Sequence, residues 1–336
     1  MYRSSFFIAS RFSLQRGFAT TASIKPNIKL LAKLRQETEV SMTKAKEALI
    51  KNDNDYQLAL NWLNQDALAS GAKKAAKVAD RVAGEGLIGT ASVNLRSTII
   101  ELNCETDFVS RNNVFKNLVS RIAATSLLVH EPTGANSAIE TIPVSTLLQA
   151  PLMPSSDSEG DNELGKTVEE AIVKAIGVLG ENITLRRAAI VNQGISASFL
   201  HGGDGSTGKI GGLAVLNTTE GDLSTEQSNA LIKAARQVAR QAVGFNPLFA
   251  NERDVPVGEL EKQADKKAYL DEVVLSNQAY LMNNDQTVSQ FVAKVGTDNG
   301  LTGAQLVDFV RWEAGENIEK RVDNFTEDVM KAARGQ

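Results

Sequence analysis

Residues 203–209, Gly-Asp-Gly-Ser-Thr-Gly-Lys, have the G-x-x-x-x-G-K spacing of a phosphate-binding loop. Such a loop needs a hydroxyl after the lysine to hold magnesium, and a helix start aimed at the phosphate. Position 210 is Ile, and the following stretch, IGGLAVLN, has the pattern of a strand. The segment therefore reads as a flexible glycine-rich hairpin turn, with a nucleotide-binding enzyme as the competing reading. Other chemistry is thinly supplied. The two histidines, His130 and His201, lie in no nucleophile motif, and no G-x-S-x-G elbow is present. Cys104 is the one cysteine, which excludes an intramolecular disulfide and a cysteine-rich metal site. It shares a set with Ile100 and Leu102 that alternates with Glu101 and Asn103, as expected of a small buried residue on a strand. Glu169 and Glu170 fall on an amphipathic helix and read as a solvated face. None of these groups requires an enzyme.

The elements that carry them can be drawn from periodicity. Residues 26–80 read as helical throughout. Ile28, Leu31 and Leu34 share one face, Ser41 is a candidate N-cap, and Tyr56, Leu60 and Leu63 recur at helical spacing. A bundle this small buries little surface alone. GLIGTASVNL and STIIELNC form a hairpin around 94–96, and a helix is expected from Asp107 to Val129. Residues 131–165 hold four of the seven prolines and read as an excursion outside the core. A helix ending at Gly180 and the strand ENITLRRAAIV follow. Two further strands flank the 203–209 loop, and then comes a long helix capped by Ser224 with Glu226 in its first turn. Helices are expected at 261–276 and 287–296, an extended stretch from 304, and a last helix in VDNFTEDVMKAAR. Strand pairs followed by helices, twice over, predict an α+β fold of two related subdomains with small antiparallel sheets.

Composition narrows the partners. The chain is 42% hydrophobic with a net charge of −4 and a pI near 5.5, which argues against nucleic acid as the main partner. No apolar run is long enough to span a bilayer. The first 23 residues contain Arg3, Arg11 and Arg16, many serines and no acid, the composition of an organellar transit peptide. Arg16-Gly17-Phe18-Ala19 resembles a mitochondrial processing site, so the expected organisation is a mitochondrial transit peptide at 1–23, a helical domain at 24–70 and a helical connector at 71–86. A first core subdomain at 87–194 and a second at 195–336 complete it.

Between the hairpin and the helix lies NCETDFV, residues 103–109. Thr106 is a good N-cap, and Asp107 in the first turn complements the helix dipole. Phe108 precedes Phe115 by two helical turns and so belongs to the same side. Polar Arg111 and Asn112 interrupt that face. The pattern alone favours Phe108 as a core residue and leaves an exposed aromatic anchor as the alternative.

NCETDFVSRN resembles the signature of the elongation factor Ts family. KLRQETEVSMTKAKEAL, AKKAAKVADRVAGEGLI, LGENITLRRAAIV, FLHG…KIGGLAV and DFVRWEAGENIEK also resemble family segments, in the family's order, over residues 26–333. With the transit-type leader the likeness is to mitochondrial members. The resemblance implies a ubiquitin-associated-like N-terminal domain and a heterodimer with mitochondrial elongation factor Tu. No cofactor, resident metal, nucleic acid or membrane is implied. The implied activity is exchange of GDP for GTP on Tu, with Asp107 and Phe108 as the wedge that disturbs the magnesium and nucleotide site. Leu179, Gly180 and His201 match further contacts, and Met42 matches one in the helical domain. An organellar adaptor acting through the small helical domain is the alternative from a different class.

Overall fold

The computed structural model describes residues 24–130, 137–154 and 166–319. The expected transit peptide and the expected last helix lie outside these residues. The chain divides into two compact units at Leu63/Asn64. In the first, α1 (Ile28–Thr38), α2 (Met42–Lys51) and the start of α3 (Tyr56–Val78) bury Leu31, Leu34, Ala45, Ala48 and Leu49. Asn27 caps α1, accepting from the Lys29 and Leu30 amides at 3.0 and 3.3 Å, and Ser41 caps α2. Between them Glu39 takes a left-handed conformation (φ 54°). The ammonium groups of Lys44 and Lys51 lie 4.8 and 4.5 Å from the Trp62 ring centre.

The second unit continues with β1 (Glu85–Val93), β2 (Arg96–Cys104), α4 (Asp107–Ser110) and α5 (Asn113–Val129). Next come β3 (Ile139–Thr141), α6 (Val144–Gln149), α7 (Val168–Leu179) and β4 (Ile183–Val191). The second half contributes β5 (Ile195–His201), β6 (Thr207–Gly208), β7 (Ile210–Asn217) and α8 (Thr225–Phe245). After these lie α9 (Val257–Leu260), α10 (Lys266–Val273), β8 (Ala279–Tyr280), β9 (Asn283–Thr287), α11 (Val288–Asp298) and β10 (Gln305–Glu313). One antiparallel sheet has the order β3-β4-β2-β1-β6 and another β10-β7-β5, while β8 and β9 pair separately. This is the expected α+β arrangement of helices and small antiparallel sheets.

The sheets stack, and each is covered on its outer face by helices. Ile100, Leu102 and Cys104 face α5 and α7 with Phe115, Ile122 and Ile176. Ile88 and Ile99 face the second sheet at Leu213 and Val215. Beyond that sheet α8 and α11 supply Leu231, Val238, Val288 and Val292. Strand β2 is therefore buried on both faces, which the simple alternation of Ile100, Leu102 and Cys104 had not implied. Glu101, on its second face, is fully buried.

Several sequence expectations are corrected. The helix predicted from Asp107 to Val129 is two helices. Asn112 takes an extended conformation, and its Oδ1 accepts from the Val114 and Phe115 amides at 2.8 and 3.4 Å. A side chain that caps a new helix competes with continuation of the old one. The excursion, read as lying outside the core, contributes to it. Its β3 pairs with β4, and Ile142, Leu147 and Leu152 are buried in the first core. Pro143 and Pro151 flank α6, so they punctuate the segment without excluding it from the interior. The helix expected over 261–276 is confined to Lys266–Val273, started by the Asp265 cap. Polar β9 was not anticipated. Its hairpin is held from outside, by Tyr280 stacked on Phe291 at 4.0 Å and by the Gln241 carboxamide bonded to the Leu281 amide and the Ala279 carbonyl.

Candidate functional site

Phe108 is 80% exposed, whereas Phe115 is fully buried. The lean toward a core role for Phe108 is thereby overturned. Because the helix restarts at Asn113, the two phenylalanines no longer share one helical face. A bare aromatic ring in water is unfavourable unless something covers it. The four residues of α4 are too few to be stable alone, so the surroundings must hold them. Val109 and Ser110 are buried beneath the helix. The Thr106 hydroxyl accepts from the Val109 amide at 3.4 Å, and Asp107 forms an ion pair with Arg111 at 2.7 Å on the exposed side.

The turn before α4 is strapped to the turn after α7. The Glu181 carboxylate accepts from the Thr106 amide at 3.0 Å and from its hydroxyl at 2.6 Å. Glu105 answers by accepting from the Asn182 amide at 2.6 Å, while the Asn182 carboxamide donates to the carbonyls of Ala79 and Arg81. Leu179, half-buried, and Gly180, exposed, directly precede this strap in one segment, and Asp107 and Phe108 directly follow it in the other. Gly177 lets α7 approach α3, because a Cβ there would lie 2.5 Å from the Ala67 carbonyl oxygen. Gly180 ends α7 in the left-handed region at φ 81°, and a Cβ there would touch nothing within 4 Å. Gly180→Ala is therefore expected to cost about 1 kcal/mol through backbone strain alone; urea unfolding would measure it.

The 203–209 loop, from the other half, reaches α4 through Lys209 and carries side-chain bonds of its own. Asp204 accepts from the Thr207 amide and hydroxyl and from Ser206, and pairs with Lys116 of α5 at 3.3 Å. Burial alone would raise its carboxyl, but the Thr207 amide, the Lys116 ammonium and the Thr207 and Ser206 hydroxyls hold it near 2. Thr207 and Gly208 pair with β1. His201 ends β5, exposed, and its carbonyl accepts the Lys209 amide at 2.9 Å. Lys209 in turn reaches Ser110 of α4, so one residue, Lys209, stands between His201 and that helix. Met42, 43% exposed at the first position of α2, belongs to the other compact unit.

Cys104 is fully buried, and its thiol is pushed up to about 12 by burial and by the nearby Glu181 charge. Native protein at mildly alkaline pH should resist iodoacetamide and become singly alkylated only on unfolding, which mass spectrometry would read.

Glu105, Glu181, Asn182 and Ser110 are not singled out by the sequence, and Lys209 is singled out only as the lysine of a phosphate-loop spacing. The available signal was that acids and amides follow directly on the strand end and on the Gly180 helix end, where orphan backbone groups need partners.

An exposed aromatic residue on a braced helix start is the kind of feature that one class of proteins presents to a binding partner. Comparison with known proteins gives that class a name. The elongation factor TS family description matches residues 105–267. A mitochondrial elongation factor Ts of Laccaria bicolor is 33% identical over 93% of this chain and 98% of its own length. One of Coprinopsis cinerea is 34% identical over 89% and 95%. Elongation factor Ts of Sinorhizobium fredii is 33% identical over 90% and 97%. The chain is a translation elongation factor. It belongs to the elongation factor Ts family and, with the fungal relatives, to its mitochondrial branch.

Proposed function

We propose that the chain binds mitochondrial elongation factor Tu carrying GDP and promotes exchange of GDP for GTP. The observation that carries this is Phe108, 80% exposed on a helix start whose preceding cap is fixed by two hydrogen bonds from Thr106 to Glu181. Asp107 and Phe108 insert beside the magnesium side of the GTPase site and disturb it. Leu179, Gly180 and His201 extend the contact, and Met42 adds one from the helical domain. The chain contributes no bond-making chemistry. It works by differential affinity, since a partner can shift an equilibrium only by the difference in its binding to the two states. Rigidity matters because a preordered wedge spends less of its binding free energy on ordering itself.

Calorimetric titration checks this directly. Nucleotide-free Tu should bind at least about tenfold more tightly than Tu·GDP. Equal affinities would end the exchange reading.

A further inference from the structure

The G-x-x-x-x-G-K loop is left without a role by the exchange function, and its lysine points to one. The Lys209 ammonium donates to the Glu85 carboxylate at 2.9 Å and to the Ser110 hydroxyl at 3.2 Å. The Ser110 hydroxyl donates to the backbone carbonyl of Asp107 at 3.0 Å. A chain of hydrogen bonds, charge-assisted where the lysine donates, therefore runs from the first residue of β1, through the loop lysine, into the last residue of α4 and back to its first. The loop that presents Lys209 is itself held to α5, by Asp204 with Lys116 and by Ser206 with Ser120 at 3.3 Å. Its backbone is pinned on both sides, the Lys209 amide to His201 and the Lys209 carbonyl to the Ala314 amide, both at 2.9 Å.

We propose that the 202–209 loop is a brace for the helix that carries Phe108, and that Lys209 is the positioning residue through which it acts. The proposal rests on the exchange reading above and adds residues that touch no partner in it. Glu181 secures α4 from its N-terminal side and Lys209 from its C-terminal side. A helix of four residues cannot keep its shape with one side free. Removing the lysine lets α4 fray, so that the wedge must be ordered during the exchange step itself, and the rate falls. Phosphate-loop spacing arises here because a short turn between strands needs glycines, and because the lysine at its exit must reach across to a neighbouring helix.

The test uses the full chain and its Lys209→Met, Lys209→Arg and Ser110→Ala variants, and the Met/Ala double variant. GDP release from Tu is followed over a range of Tu·GDP concentrations, and amide hydrogen exchange is followed in the free protein. Lys209→Met should lower the maximal release rate about tenfold, the scale of one charge-assisted hydrogen bond, with a smaller change in the half-saturating concentration. Amides of residues 107–111 should exchange faster while those of β2 and α8 do not. Lys209→Arg should recover most of the rate, and the double variant should be no slower than the slower single one. An unchanged rate and unchanged protection in α4 would overturn the proposal. So would additive losses, or a rate loss that merely follows a fall of the whole melting curve. Should Lys209→Met fail to fold, Ser110→Ala cuts the same link while leaving the Lys209–Glu85 pair, and its rate and protection decide. If the unaltered chain releases no GDP, the exchange reading fails on its own. The α4 protection pattern still judges the brace.

Discussion

Phe108→Ala should leave the stability of the protein within about 0.5 kcal/mol of the parent, as for a surface substitution. Nucleotide exchange on Tu should nonetheless fall by about 30-fold or more, the consequence of losing a hot-spot contact of roughly 2 kcal/mol. The split follows from where the ring sits. At 80% exposure it has little packing to lose in the free protein, and what lies beneath it is Val109 and Ser110. Phe115 supplies the control. Seven residues on, it is fully buried among Leu118, Ile122 and Ile176, and Phe115→Ala should cost about 3–5 kcal/mol of stability. Urea unfolding and GDP release measured on both variants separate the two roles. Strong destabilisation by Phe108→Ala, with exchange retained, would return Phe108 to the core.

An effect on stability as large as that at Phe115 is expected at a polar residue, Glu101. Its carboxylate is fully buried. It accepts from Arg187 at 2.6 Å, from Arg186 at 3.1 Å, from the Asn103 carboxamide at 3.1 Å and from the Gly315 amide at 2.8 Å. Those donors come from β4, from β2 itself and from the turn after β10, so one side chain joins the two stacked sheets. Arg187 is further engaged by Glu316 at 3.6 Å and lies over the Trp312 ring at 4.4 Å. Removing one partner from a buried charge cluster strands the others. Glu101→Ala should therefore cost about 3–5 kcal/mol, read as a shift of the urea midpoint, with β10 losing hydrogen-exchange protection before α5. Glu101→Gln keeps the acceptor for Gly315 and should recover part of the loss. A midpoint shift within that of an ordinary surface substitution would show that the cluster contributes packing only.

These two residues mark what a sequence does and does not make legible. The strand, cap and helix start around NCETDFV follow from local rules. Thr106 caps as expected, Cys104 is buried as expected, and the Ser41 and Ser224 caps form. In the Ser224 case the reciprocal partner is Gln227 and not neighbouring Glu226, because the third helical residue is the one that reaches back. Burial was harder to read. Alternation assigns Glu101 to a solvent face, and only the second sheet, brought over it by a connection of about a hundred residues, makes that face an interior one. Phe108 was drawn toward the core by its spacing from Phe115, which presumes an unbroken helix. Arg111 and Asn112 were visible as an interruption, but the cap made by the Asn112 side chain turned interruption into termination. The straps at Glu181 and Lys209 span 75 and 99 residues to their partners, and no local pattern encodes such distances.

Release of fluorescent GDP from mitochondrial elongation factor Tu, with this chain present in substoichiometric amount, decides whether Phe108 drives exchange. Release should be accelerated, each molecule serving many Tu molecules in turn, and the acceleration should be lost in Phe108→Ala while the variant melts with the parent. Release at the intrinsic rate with the intact chain present, or equal acceleration by the Phe108→Ala variant, would contradict this expectation.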